Sequence, residues 1–134
     1  MTRHPDAFDL GAITADPDSL PWQPLRPGVE IHRLYGAEHE GPSAALLRYR
    51  PGAEVPWHVH TGAEHILVLS GSQQDHRGRY GPGSFVVNQP GTRHRVVSPD
   101  GCLVLVVWER PVRFEPAEDA PAAPAPQLPR PATE

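Results

Sequence analysis

The chain has 134 residues, enough for one domain with a substantial core. Its net charge of −4 is mild and spread along the sequence, which argues against nucleic acid or an anionic membrane as a partner. The single cysteine excludes an intrachain disulfide, no apolar run reaches the roughly 20 residues that span a bilayer, and no signal peptide is apparent, so we expect a cytoplasmic protein.

The first 19 residues are polar and contain turn formers, which predicts an arm lying on the surface of the domain. Trp22 follows between Pro21 and Pro24, and proline excludes a helix there. A tryptophan buries a large apolar area, so we expect Trp22 to anchor this arm by packing.

Short β-like runs separated by Gly/Pro turns fill the middle of the chain. The predicted strands are 29–35, 44–50, 55–60, 65–69, 72–76 paired with 79–80, 84–88, 94–98, 102–109 and 112–115. No window shows a sustained helical periodicity. The pattern predicts an all-β antiparallel sandwich or barrel over residues 20–115.

Two of these strands, 66–69 and 102–108, are apolar on both faces, which exceeds what a sheet with one wet face needs. Another sheet or a second subunit must cover the outer face, and we predict a homodimer. Residues 116–134 are rich in proline and alanine and lack apolar content, so we expect a disordered tail.

Three histidines and one glutamate have a spacing that suits a metal site. His58 and His60 are two apart, so on a strand they point the same way. Glu64 follows a turn that contains a glycine, and His94 opens a later strand after a Pro-Gly turn. Imidazole and carboxylate ligands suit zinc or iron, with manganese, nickel and copper as alternatives.

These residues also carry a resemblance to a known family. The first cupin motif is matched at every defined position by Gly52-x5-His58-x-His60-x3-Glu64-x6-Gly71. The second motif is matched in part, by Gly83, Gly91 and His94, while Gln89 and Ser98 depart from it without touching a ligand. The resemblance implies a single-domain jelly-roll barrel, the double-stranded β-helix, with His58, His60, Glu64 and His94 as metal ligands.

Within the cupins the sequence is most similar to the ChrR type, the zinc-binding sensor domain of certain anti-sigma factors. The similar stretches are 19–24, 27–35, 47–52, 75–80 and 88–94. Such proteins carry a separate N-terminal helical domain that binds the sigma factor. We expect this chain to lack it, because only about 20 residues precede the barrel.

Other polar side chains near the site have two readings each. Arg48 is expected to face the barrel and bind a substrate carboxylate, or else to be a surface or structural arginine. His65 stands where the family often has a second glutamate, and strand alternation predicts that it points away from the metal. His32 and His76 could lie at the rim or be solvated. Cys102 is expected to be a buried small hydrophobe, with a redox role as the alternative.

Two functions remain open from the sequence. The protein could be a metal-dependent oxygenase of the cupin type, acting on a small organic substrate. Alternatively, it is a ChrR-like zinc-binding sensor or ligand-binding module without catalysis. A fold of this kind does not decide between them.

Overall fold

A computed structural model describes residues 6–37 and 39–116. In chain order these residues form the strands β1 (Gln23–Arg26), β2 (Val29–Tyr35), β3 (Ser43–Tyr49), β4 (Glu54–Val59), β5 (Glu64–Gly71), β6 (Gln73–Asp75), β7 (Gly78–Tyr80), β8 (Phe85–Asn88), β9 (Arg93–Val97), β10 (Cys102–Trp108) and β11 (Arg113–Phe114). The strand bounds differ from the predicted ones by a few residues at most, and β1 was not predicted.

The strands form two antiparallel sheets. The larger sheet has the order β1-β2-β3-β10-β5-β8, and the smaller has the order β11-β4-β9-β6-β7. β10 lies between β3 and β5, which are far from it in sequence, and from β3 onwards the chain passes back and forth between the two sheets as a jelly roll does. The predicted all-β antiparallel fold is confirmed.

The core lies between the sheets and is built from strand positions two residues apart. Ala45, Leu47 and Tyr49 of β3 share one face, and Ile66 and Val68 of β5 lie opposite Val55 and Val96 of the smaller sheet in the same cluster. Glu64 has the same parity as Ile66 and is buried with it. The alternation that builds the core therefore also turns the predicted ligand inward.

The N-terminal arm contains a short helix that the sequence analysis missed. α1 (Leu10–Ala15) is capped by Asp9, whose carboxylate accepts a hydrogen bond from the Ala12 amide at 3.0 Å. A 3-10 turn (Pro17–Ser19) follows. Six residues are too few to show a helical apolar period, so only the cap could have signalled the helix.

The arm lies on the outer face of the larger sheet. α1 packs against β5, the Trp22 indole donates to the Pro17 carbonyl at 2.8 Å, and the Arg48 guanidinium lies 4.6 Å from the Trp22 ring centre. The arm thus covers part of the outer face of β5, one of the two strands that are apolar on both faces. The sequence analysis considered only another sheet or a second subunit as the cover.

Gly71 shows why a glycine closes β5. It has a φ of 74°, and a Cβ there would lie 1.9 Å from the Gly101 carbonyl oxygen. Only glycine tolerates both the left-handed backbone and the close approach.

Among residues 6–37 and 39–116, no helix has the length and apolarity needed to cross a bilayer. The predicted tail falls almost wholly within 117–134, outside the described residues.

Candidate metal centre

Four potential ligand side chains meet inside the barrel. His58, His60, Glu64 and His94 are all buried, and each offers one ligand atom within 4.8 Å of the others. They are the four residues that the sequence predicted as metal ligands. They come from β4 and the residue after it, from the start of β5, and from β9.

Strand pairing explains why the three imidazoles converge. His58 and His94 are direct partners across the antiparallel β4–β9 pair, and their ring centres are 4.6 Å apart. His60 lies two residues beyond His58 and places its ring centre 4.7 Å from that of His94. The His-x-His spacing therefore works through a cross-strand partner from the second motif.

Each imidazole is fixed from behind through its Nδ1 atom. The contacts are His58 Nδ1 with the Pro56 carbonyl oxygen at 2.8 Å, His60 Nδ1 with the Thr92 carbonyl and hydroxyl oxygens at 3.1 and 3.0 Å, and His94 Nδ1 with Asp75 Oδ2 at 2.9 Å. Carbonyl and carboxylate oxygens accept, so Nδ1 carries the proton. The Nε2 lone pairs are left for the centre of the cluster.

Two of those Nε2 atoms are buried without a hydrogen-bond partner, namely those of His60 and His94. His60 Nε2 lies 3.1 Å from Glu64 Oε1, yet the contact is not a hydrogen bond. Buried polar atoms are almost always satisfied, so these need a partner that the protein itself does not provide. Three imidazoles and one carboxylate fit a divalent transition metal ion, and the group could hold one.

Glu64 is held by the two strands that flank it. Asn88 on β8 and Trp108 on β10 are its direct cross-strand partners. The Asn88 amide donates to Oε1 at 2.8 Å, and the Trp108 indole donates to Oε2 at 2.7 Å. The carboxylate therefore has a fixed orientation before any ligand arrives.

Charge states in the cluster also suit metal binding. Burial, and then the neighbouring His94, lower the pKa of His58 to about 4. Burial would raise the pKa of Glu64, but the nearness of His60, then of His58 and His94, outweighs it and lowers this pKa to about 2. Neutral imidazole and ionised carboxylate are the forms that bind metals.

An outer network connects the supports of two of the four residues. Arg77 pairs with Asp75 at 2.7 Å and donates to the side-chain oxygen of Asn88. Asp75 stands behind His94, and Asn88 stands behind Glu64. Burial opposes ionisation of Asp75, but hydrogen bonds to His94 and Arg77 hold its pKa well below the usual range.

A cavity of about 370 Å³ opens directly in front of this cluster. Three of the four candidate ligands, His58, Glu64 and His94, line it. Most of the remaining wall is apolar, and Trp108 and Phe114 add aromatic surface. The cluster thus faces a volume in the range of small-molecule sites.

Arg48 does not belong to this cavity. It lies on the face of β3 opposite Leu47 and Tyr49, where it pairs with Asp18 at 2.6 Å and with Glu30 at 2.8 Å. The expectation that it faces the barrel is wrong, because strand alternation that turns Leu47 inward turns Arg48 outward. Its structural role is the alternative that the placement supports.

The other weighed residues lie away from the cluster. The His65 ring stacks on Phe85 with ring centres 5.6 Å apart. His32 meets the edge of Trp22, and His76 stacks on Trp57. Cys102 is buried in the core, and burial raises its pKa to about 11. None of the four lines the cavity.

Sequence reasoning missed the residues that hold the candidate ligands. These are Asp75, Thr92, Asn88 and Trp108. The register of β5 against β8 and β10 would have identified Asn88 and Trp108 as the partners of Glu64. No local sequence pattern indicates that register.

The chain matches a protein-family model. The model, described as the ChrR cupin-like domain, matches residues 10–113. A curated relative, the anti-sigma-E factor ChrR of Cereibacter sphaeroides, is 35% identical over 100 residues. The alignment covers 72% of this chain and 46% of the relative, so the chain spans about half of that relative's length.

Solved structures with a similar fold include an anti-sigma factor and an enzyme. Anti-sigma ChrR from Rhodobacter sphaeroides, solved in complex with SigE, matches with a TM-score of 0.62 and 25% identity, over 79% of this chain and 70% of that one. An acetylacetone dioxygenase from Acinetobacter johnsonii matches with a TM-score of 0.70 and 13% identity, over 92% and 85% of the two chains. At 13% identity the second match shows the fold alone.

Proposed function

The chain belongs to the ChrR cupin-like domain family, as its sequence predicted, and on this basis we propose that it binds one divalent metal ion and acts on a small organic molecule in the adjoining cavity. The proposed ligands are His58, His60, Glu64 and His94. The proposed activity is that of a metal-dependent oxygenase.

One observation carries this proposal, namely that the candidate ligands form part of the cavity wall. His58, Glu64 and His94 belong both to the four-residue cluster and to the lining of the 370 Å³ cavity. Structural metal sites are closed by protein ligands, whereas catalytic sites keep a position open to substrate. A cavity against three of four ligands supports the second kind.

In this reaction the chain's own residues would hold the metal ligands in place and shield the bound molecule from water. Asp75, Thr92 and the Pro56 carbonyl hold the imidazole rings, and Asn88 and Trp108 hold the Glu64 carboxylate. The apolar wall excludes water from the reacting end of a bound molecule. A metal ion held there would supply Lewis acidity and, in the case of iron, redox chemistry.

Family membership favours a second candidate function. The relative that is 35% identical is named an anti-sigma factor and not an enzyme. We therefore also propose a non-catalytic role, in which the centre holds zinc and registers a small ligand in the cavity. The same four residues would bind the ion in both cases.

Metal analysis of the freshly purified full chain, followed by an oxygen-uptake assay, distinguishes the two functions. Bound iron, with oxygen uptake in the presence of small phenols or diketones, would support the oxygenase. Stoichiometric zinc, with no uptake after anaerobic reconstitution with ferrous iron, would contradict the oxygenase and support the sensor. Protein that binds no transition metal from solution would contradict both.

The outer face of the larger sheet supports the proposal of a homodimer. Phe85 and Val87 on the edge strand β8 are 63% and 39% exposed. An edge strand with exposed apolar side chains is a common pairing surface. Multi-angle light scattering at micromolar concentration should give twice the chain mass, and a monomer mass would contradict the dimer.

A further inference from the structure

We infer that the cavity binds an apolar carboxylic acid, with the carboxylate against Arg26 and the carbon skeleton extending towards the proposed metal centre. The inference deepens the proposed function by naming the chemical class of the small molecule. It depends on the cavity and on one arginine, and these can be tested with or without a metal.

The wall of the cavity selects an apolar body. Ile31 and Leu47 of the larger sheet line it, together with Ile66, Val96 and Val106. Each of these side chains is buried in the protein core cluster. A ligand that covers such a surface gains affinity in proportion to the apolar area that it removes from water.

Arg26 is the reason to expect an anionic group on this ligand. It lies at the end of β1, is partly buried and lines the cavity. Within residues 6–37 and 39–116 no carboxylate pairs with it, whereas the arginines 48, 77, 79, 93 and 95 each have a carboxylate partner. A half-buried guanidinium without a carboxylate is suited to receive one from a ligand.

Phe114 connects Arg26 to the candidate metal ligands. The Arg26 guanidinium carbon lies 4.5 Å from the centre of the Phe114 ring, and the same ring centre lies 5.5 Å from that of His58. The guanidinium and the His58 ring are therefore at most the sum of these two distances apart. A single small molecule can contact both.

The charge of the cavity agrees with an anion. Among the described residues that line it, Glu64 is the only carboxylate, and it belongs to the proposed ligand set. Three neutral imidazoles, one carboxylate and a divalent ion leave one positive charge there, and Arg26 adds another. Arg33 also lines the cavity, so two guanidinium groups stand in a largely apolar wall, which suits a carboxylate on an apolar skeleton.

Calorimetric titration of the metal-loaded full chain with octanoate and with octanol tests the inference. The two probes have the same skeleton, and only octanoate carries a charge. We expect octanoate to bind at least about tenfold more tightly, because the charge-assisted contact with Arg26 is lost in the alcohol. Equal affinity for the two probes, or binding of neither, would overturn the inference.

The variant Arg26→Gln removes the guanidinium and should make the two affinities equal. Arg95→Gln is the matched control, since Arg95 pairs with Glu54 and does not line the cavity. The control should keep the preference for octanoate. If Arg26→Gln keeps that preference in full, the carboxylate binds elsewhere and the inference is wrong.

Repeating the titration after removal of metal separates this inference from the proposed metal centre. A preference for octanoate that persists in metal-free protein and disappears in Arg26→Gln supports the acid site even if no metal function exists. A chain that holds one metal ion but binds octanoate no better than octanol retains the metal centre and loses the acid site.

Discussion

The back and the front of the candidate metal centre are built from opposite materials. Behind the four side chains stand hydrogen-bonding groups, among them Asp75, Asn88 and Trp108, which fix rings and carboxylate alike. In front of them lies a largely apolar cavity with two arginines at its wall, Arg26 and Arg33. The difference indicates that the back holds the ligand atoms still, while the front leaves room for a molecule.

Removal of one proposed ligand should have the largest effect on metal binding. In His94→Ala the cluster loses an imidazole, and we expect the dissociation constant for Zn²⁺ to rise more than about 100-fold, beyond the usual effect of an outer partner. Competition with a chromophoric chelator would measure it. His65→Ala is the control, because His65 is also a histidine but lies on the face of β5 opposite Glu64, where it stacks on Phe85.

Both outcomes of that pair are informative about the site. Unchanged Zn²⁺ affinity in His94→Ala would contradict the proposed ligand set. A large loss in His65→Ala would show that folding, and not coordination, governs the measurement, so circular dichroism of both variants should accompany it.

A smaller change tests the back of the site alone. Trp108→Phe keeps an aromatic ring but removes the indole that donates to Glu64 Oε2 at 2.7 Å. We expect Zn²⁺ affinity to fall by about tenfold, the lower end of the range for partners behind a ligand. Chelator competition again reports the value.

Trp57→Phe is the matched control for Trp108→Phe. The Trp57 indole nitrogen is buried and has no hydrogen-bond partner among the described residues, so its removal should leave Zn²⁺ affinity within experimental error. If the two variants behave alike, the hydrogen bond to Glu64 contributes nothing to metal binding.

These partners also show where prediction from the sequence ends. Period-two alternation and the motif spacing were enough to predict strands, antiparallel class and the four inward side chains, because a strand fixes the face of each residue locally. Asn88 and Trp108 act through cross-strand register, which depends on distant pairing. Arg48 was misplaced because local parity relates a residue to its neighbours but does not say which face is the inner one.

A substitution in the core away from the cavity should have the smallest effect. This effect should be on folding stability and not on binding. Cys102 is packed in the hydrophobic cluster but does not line the cavity. Burial raises its pKa from 9.0 to about 11. Between these values the unfolded chain releases a proton that the folded chain keeps, so folding stability falls as pH rises from 9 to 11.

The loss attributable to Cys102 should reach about 1 kcal/mol at pH 10, and it is absent below pH 8. Urea unfolding of the wild type and of Cys102→Ala at pH 8 and pH 10 isolates this share, because burial, the largest cause of the raised pKa of Tyr49, acts in both proteins. The gap between the two stabilities should narrow by that amount at pH 10. A constant gap would mean that water reaches the thiol, and that burial does not separate Cys102 from solvent as it separates the core around the cavity.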